Sequence, residues 1–236
     1  MFKLKKTIIA LCGVMLMNAN TAYGAGFETI NPQNIECLQN IPEDARNIIN
    51  LTVNELPEEV ILFHKQKGGN VFLFDQFPKD NFYFRYMDPS NIIGMYIDGS
   101  HNIYASYDPE IIHFNATYTV LDHEYGHFVY HMAKKYWDQN DNKKMNELCK
   151  LLSPVDENCY NESETFAVAY SYWKYFNAMN KAGIKYDTAV AYYKDPVFFE
   201  TYEDLFKKCE ELIYDLYHYQ DIKESAAATG PAMEIT

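Results

Sequence analysis

Residues 121–131 read LDHEYGHFVYH. The apolar flanks, TYTVL before and FVY after, predict a helix buried in a core, running from about residue 116 to 137. His123 and His127 stand four apart. On a helix their imidazoles share one face, one turn apart, where a single metal ion can touch both. Neutral imidazole suits zinc, and two such ligands plus a third leave one position for water. Glu124 lies one position round the helix, placed to take a proton from that water rather than to bind the metal. The stretch therefore predicts a zinc hydrolase site.

The third ligand must come from elsewhere. A metzincin needs a glycine three residues and a histidine six residues past His127, but Tyr130 and Ala133 occupy those positions. His131 is four past His127. Three histidines in line on one straight helix cannot surround a metal, so His131 is expected to support the site or form its wall. Downstream, residues 160–173 read YNESETFAVAYSYW and predict a long amphipathic helix with Ser163 as N-cap. Glu164 falls in its first turn, far enough from His127 in sequence for the two helices to cross. Glu162 competes with it; Glu164 is preferred because Phe166, Ala167 and Tyr170 lie near it on the same helical surface.

Working outward, Pro42 to Leu56 predicts a helix, and a second helical run starts at Leu56-Pro57 and ends at Gly68-Gly69. Strand patterns follow at Val71–Phe74, Phe82–Tyr86 and Ile92–Ile97, then a DGSHN turn and IYASY. After the HEYGH helix come helices over 143–152, 163–180 and 195–219. Helix, small sheet, then helices predict an α+β fold.

The chain has 236 residues, of which 48% are hydrophobic and 16% aromatic, so it can bury a core. A net charge of −13 excludes a phosphate-backbone binder and hence a nucleic-acid partner. MFKLKK followed by the apolar run Thr7–Met17 and the small residues Ala22 and Gly24 reads as a secretory signal over 1–24. Its removal takes three lysines and no acid, leaving 212 residues at −16. The remaining organisation reads as a single domain over 25–224 and a frayed tail over 225–236. The product is expected to be secreted and monomeric, with no stable membrane association. In such a compartment Cys37, Cys149, Cys159 and Cys209 are disulfide candidates, with three possible connectivities and four buried thiols as the alternative.

HEYGH followed by NESETFAVAY resembles the gluzincin catalytic domain of anthrax lethal factor and the related secreted Pro-Pro endopeptidases of clostridia. Those carry a HE-hydrophobic-GH helix and a later NEAEFFAEAF-like helix that supplies the ligand glutamate. The hairpin IIGMYIDGSHNIYASY resembles the family's edge strand, along which substrate lies extended. The likeness covers roughly Leu56 to Tyr219. It implies a zincin-like metalloprotease domain with a small mixed sheet and an edge strand over the cleft. It also implies one zinc ion held by His123, His127 and Glu164, with Glu124 as base and a peptide or protein as substrate. Met95, Tyr96, Ile97 and Tyr104 are the implied substrate-binding residues.

Two positions depart from the family. An acid is common four residues after the ligand glutamate, where this chain has Val168; Asp122 or Asp156 then becomes the candidate supporting carboxylate. The family's oxyanion-stabilising tyrosine would fall at Glu157, and the nearest phenol is Tyr160, either catalytic or structural. These departures leave a competing expectation: a secreted binding module that keeps the fold without catalysis.

Overall fold

The computed structural model describes residues 35–37, 57–74, 93–106, 120–154, 156, 158–181 and 207–228. The export signal, the predicted helix over 42–56, the strand over 82–86 and residues 229–236 lie outside the described residues.

Among the described residues a mixed four-stranded sheet runs in the order β1 (Ile35–Cys37), β2 (Val71–Phe74), β4 (Asn102–Ser106), β3 (Gly94–Ile97). β1, β2 and β4 are parallel, and β3 pairs antiparallel with β4, Gly94 opposite Ala105 and Tyr96 opposite Ile103. Helix α1 (Glu58–Gln66) precedes β2. It ends at Gly68, where φ is +78°, with Gly68 N–H donating to Lys65 O and Gly69 N–H to His64 O. That pair of bonds is a Schellman cap, and glycine takes the positive φ without strain. The predicted stop at Gly68-Gly69 is where the helix ends.

Helix α2 (Val120–Ala133) carries the HEYGH stretch and is buried on nearly every side. Such a helix lies inside a fold rather than on it. Val71, Leu73, Ile103 and Ala105 from one face of the sheet join its core, together with Phe128, Val129 and Met132 of α2. Helix α3 (Gln139–Leu152) starts four residues before its predicted start. Asp138 caps it, and Asp141 bonds back to the Asp138 amide in a reciprocal capping box.

Helix α4 (Glu162–Lys181) packs directly on α2. A Cβ on Gly126 would lie 2.7 Å from Ala167 Cα, closer than real side-chain contacts come. Only a glycine in α2 allows the two helices this separation. A buried ion pair between Asp122 of α2 and Lys174 of α4 ties the same two elements, both side chains almost wholly out of water.

The last predicted helix is broken. Residues 207–216 are helical, the chain turns at Tyr217 and His218, and helix α5 runs over Tyr219–Ala228. His218 has φ 48° and bonds both Asp221 and Asp141, which anchors the corner. The run SAAA, read from sequence as the start of a tail, is therefore helical through Ala228: its alanines favour helix, and Ile222 is buried in the core. Among the described residues no helix is long and apolar enough to cross a membrane. The architecture is α+β, as predicted.

Candidate metal centre

Asn161 caps α4, its side-chain oxygen accepting the Glu164 amide at 2.9 Å. Ser163, predicted as the cap, instead lies inside the first turn. With Asn161 satisfying that amide, the Glu164 carboxylate is free to leave the helix and cross to α2.

There it meets both histidines. Glu164 Oε2 lies 3.0 Å from His123 Nε2 and 3.5 Å from His127 Nε2. The two imidazoles stand 4.8 Å apart between centroids and nearly perpendicular. One ligand atom from each of the three residues falls within 4.8 Å of the others. Burial alone pushes the Glu164 carboxyl up, but hydrogen bonds from the two imidazoles outweigh it and hold it well below the usual carboxylate range. For His123, burial disfavours the charged ring, but the hydrogen bond to Glu164 together with the negative charges of Glu124, Glu164 and Asp156 overcomes this, so that its pKa is raised.

Glu124 is 5% exposed, and its Oε2 has no hydrogen-bond partner among the described residues. Burial pushes its pKa up, against the pull of His127 and His123. An unpartnered buried carboxyl oxygen is costly. The donor set of two imidazole nitrogens and one carboxylate is that of a three-ligand zinc site, and the orphaned Glu124 oxygen beside it is the group that a water on such a metal would satisfy. The residues therefore fit zinc. Glu124 Oε1 faces β3: a Cβ on Gly94 would lie 2.3 Å from it, so the strand backbone runs against this carboxylate with no room for a side chain.

The remaining predicted residues divide clearly. Glu162 turns away from the histidines and bonds Lys134 at 3.0 Å and Tyr130 at 3.1 Å. His131 points to Asp98, 3.3 Å away, and packs on the Tyr96 ring, so it forms wall rather than ligand. Asp122 is engaged by Lys174. Asp156 accepts the Tyr172 hydroxyl at 2.9 Å, and its charge is the least of the influences that raise the His123 pKa. Val168 is fully buried in the core. Tyr160 is 74% exposed and donates to Glu164 Oε1 at 3.1 Å.

The four predicted substrate residues fall on opposite faces of the sheet. Tyr96 faces α2, stacked on His127 at 6.4 Å and packed against Phe128. Met95, Ile97 and Tyr104 gather with Phe72 on the other face, because alternate residues of a strand point oppositely. Their side chains do not border the metal centre. Of the disulfide candidates, Cys149, Cys159 and Cys209 are free thiols; the side chain of Cys37 lies outside the described residues. Burial raises all three thiols, Cys209 to about 12. They share one apolar neighbourhood instead of a bridge, with Cys149 and Cys209 both felt by Cys159.

Two residues were not assigned to the site from sequence. Gly94 carried a signal, since a lone glycine inside a strand pattern marks close approach of another group. Ser163 Oγ lies 2.8 Å from His127 Nδ1, and nothing in its local pattern separates that role from capping. No family model, curated protein or solved structure matches the chain.

Proposed function

We propose that the chain is an exported zinc-dependent endopeptidase with a zincin-like fold, related to the lethal factor-like gluzincins that its motifs resemble. The observation that carries this reading is the convergence of His123, His127 and Glu164 within 4.8 Å of one another beside an unpartnered, buried Glu124. Zinc held by the three residues supplies Lewis acidity, polarising a peptide carbonyl and acidifying a water molecule.

The chain's own groups do the rest. Glu124, its basicity raised by burial, takes the water proton on its carboxylate and later gives it to the leaving amine. Gly94 leaves space for that carboxylate. Among the described residues β3 is the edge of the sheet. Ser106 N–H donates to Ile93 O, so residue 93 and, by alternation, Met95 and Ile97 bond inward to β4. The backbone groups of Gly94 and Tyr96 then face the open side, where an extended peptide can pair with them. Tyr160, whose hydroxyl donates to Glu164 Oε1, is the phenol offered to a developing oxyanion.

The experiment is cleavage of a peptide library by the chain with and without a chelator, alongside Glu124→Ala. Zinc-dependent cleavage that Glu124→Ala abolishes while keeping zinc supports the reading. A mutant that cleaves as fast as the parent contradicts it. Stoichiometric zinc without any cleavage selects the alternative, a secreted binding module on the same fold.

A further inference from the structure

We propose that Ser163 is the positioning residue for His127, holding the imidazole so that Nε2 faces the metal position whether or not a metal is there. This deepens the reading of His123, His127 and Glu164 as a metal site and rests on it. The serine hydroxyl lies 2.8 Å from His127 Nδ1, while Nε2 of the same ring lies 3.5 Å from Glu164 Oε2. The two ring nitrogens are thus assigned to different partners on the same helical turn of α4. The assignment follows from the cap: Asn161 takes the exposed amide of the first turn, which releases both Ser163 and Glu164 to reach across to α2.

A hydroxyl suits this position for a chemical reason. It both donates and accepts, whereas a carboxylate or a carbonyl only accepts. With no metal, Ser163 can donate to Nδ1 while Nε2–H donates to Glu164. Were Nε2 to hold a metal, Nδ1–H would donate to the same hydroxyl. The ring need not rotate between the two arrangements. The Tyr96 ring lies nearly parallel to the His127 ring, 6.4 Å away between centroids. The site is therefore set for loading before the ion arrives, as a preorganised site should be.

The test measures zinc affinity of the full chain by competition with a chromophoric chelator, together with the melting temperature of the metal-free protein. Ser163→Ala should bind zinc on the order of 10- to 100-fold more weakly, with the metal-free melting temperature little changed. Ser163→Thr, which keeps the hydroxyl, should recover most of that affinity. Affinity of Ser163→Ala within about twofold of the parent, while His127→Ala is severely impaired, overturns the positioning role and leaves the metal site standing. A parent chain that takes up no zinc, or His127→Ala binding as tightly as the parent, overturns both. Should Ser163→Ala fail to fold, nitrogen-15 spectra of the zinc-loaded parent decide. A slowly exchanging proton on His127 Nδ1 supports the proposal, and a bare Nδ1 overturns it.

Discussion

Replacing Gly126 by alanine probes the contact on which the whole centre depends. The added methyl would start 2.7 Å from Ala167 Cα and 3.1 Å from Ala167 O, both backbone atoms that no rotamer change can move. Carbon atoms pack at about 3.5–4.0 Å, so α2 and α4 must part by roughly 1 Å at the crossing. Two effects oppose each other. Alanine is favoured over glycine in a helix by about 1 kcal/mol. Overpacking a tight interior costs about 1–3 kcal/mol, and a clash with backbone belongs at the upper end. The clash wins, leaving a net loss of about 2 kcal/mol, or roughly 4–8 °C in melting temperature for a domain of this size. The functional effect is larger. His123 and His127 ride on α2 and Glu164 on α4, and a metal site tolerates errors of only about 0.2 Å. Zinc affinity should fall by at least about tenfold. Thermal unfolding of the metal-free protein and chelator competition measure the two quantities separately. A variant that melts at or above the parent temperature and binds zinc as tightly refutes the argument that this glycine sets the helix separation.

Gly94→Ala should act on the base instead: its methyl would meet Glu124 Oε1 at 2.3 Å and Val120 Cγ1 at 2.4 Å, so zinc affinity is kept while kcat on a cleaved peptide drops about 100-fold, and a fully active variant counts against Glu124 as base. Acid should destabilise the fold through His64, which is fully buried, donates to His101 O, and has its pKa lowered by burial to about 4 from 6.5. Because the folded value is the lower one, the unfolded chain takes up the proton first as pH falls. The stability is intact above about pH 7 and lost through pH 4, in total about 3 kcal/mol. Urea unfolding at pH 7 and pH 4 should show that excess loss in the parent relative to His64→Leu, and equal losses contradict it.

How much of this was legible in the sequence depended on whether a property is set by spacing or by neighbours. The i, i+4 spacing placed His123 and His127 on one face of α2, and the same helical reasoning preferred Glu164 to Glu162. Glu162 and Glu164 differ by two positions, which on a helix turns one carboxylate to Lys134 and the other to the histidines. β2, β3, β4 and the Gly68-Gly69 stop were legible because alternation and glycine chemistry act locally, whereas the three-residue β1 was not read as a strand. What failed depended on partners distant in sequence. Asn161 and Ser163 are both good caps, and only the position of His127 decides which of them caps α4. Met95, Ile97 and Tyr104 were grouped with Tyr96 because the strand was read as a unit, although a period of two sends them to the far face. An even number of cysteines suggested bridges, but pairing is a matter of three-dimensional approach. The break at His218 depends on Asp141, 77 residues away.

Everything proposed for the site rests on two imidazoles and one carboxylate holding the metal. X-ray absorption at the zinc edge, on the chain loaded with one equivalent of zinc, tests it most directly. The first shell should hold nitrogen and oxygen only, at about 2.0–2.2 Å, with the outer scattering of two histidine rings. A sulfur shell at about 2.3 Å, which would place the ion on thiols such as Cys149, Cys159 and Cys209, or no uptake of zinc at all, would contradict it.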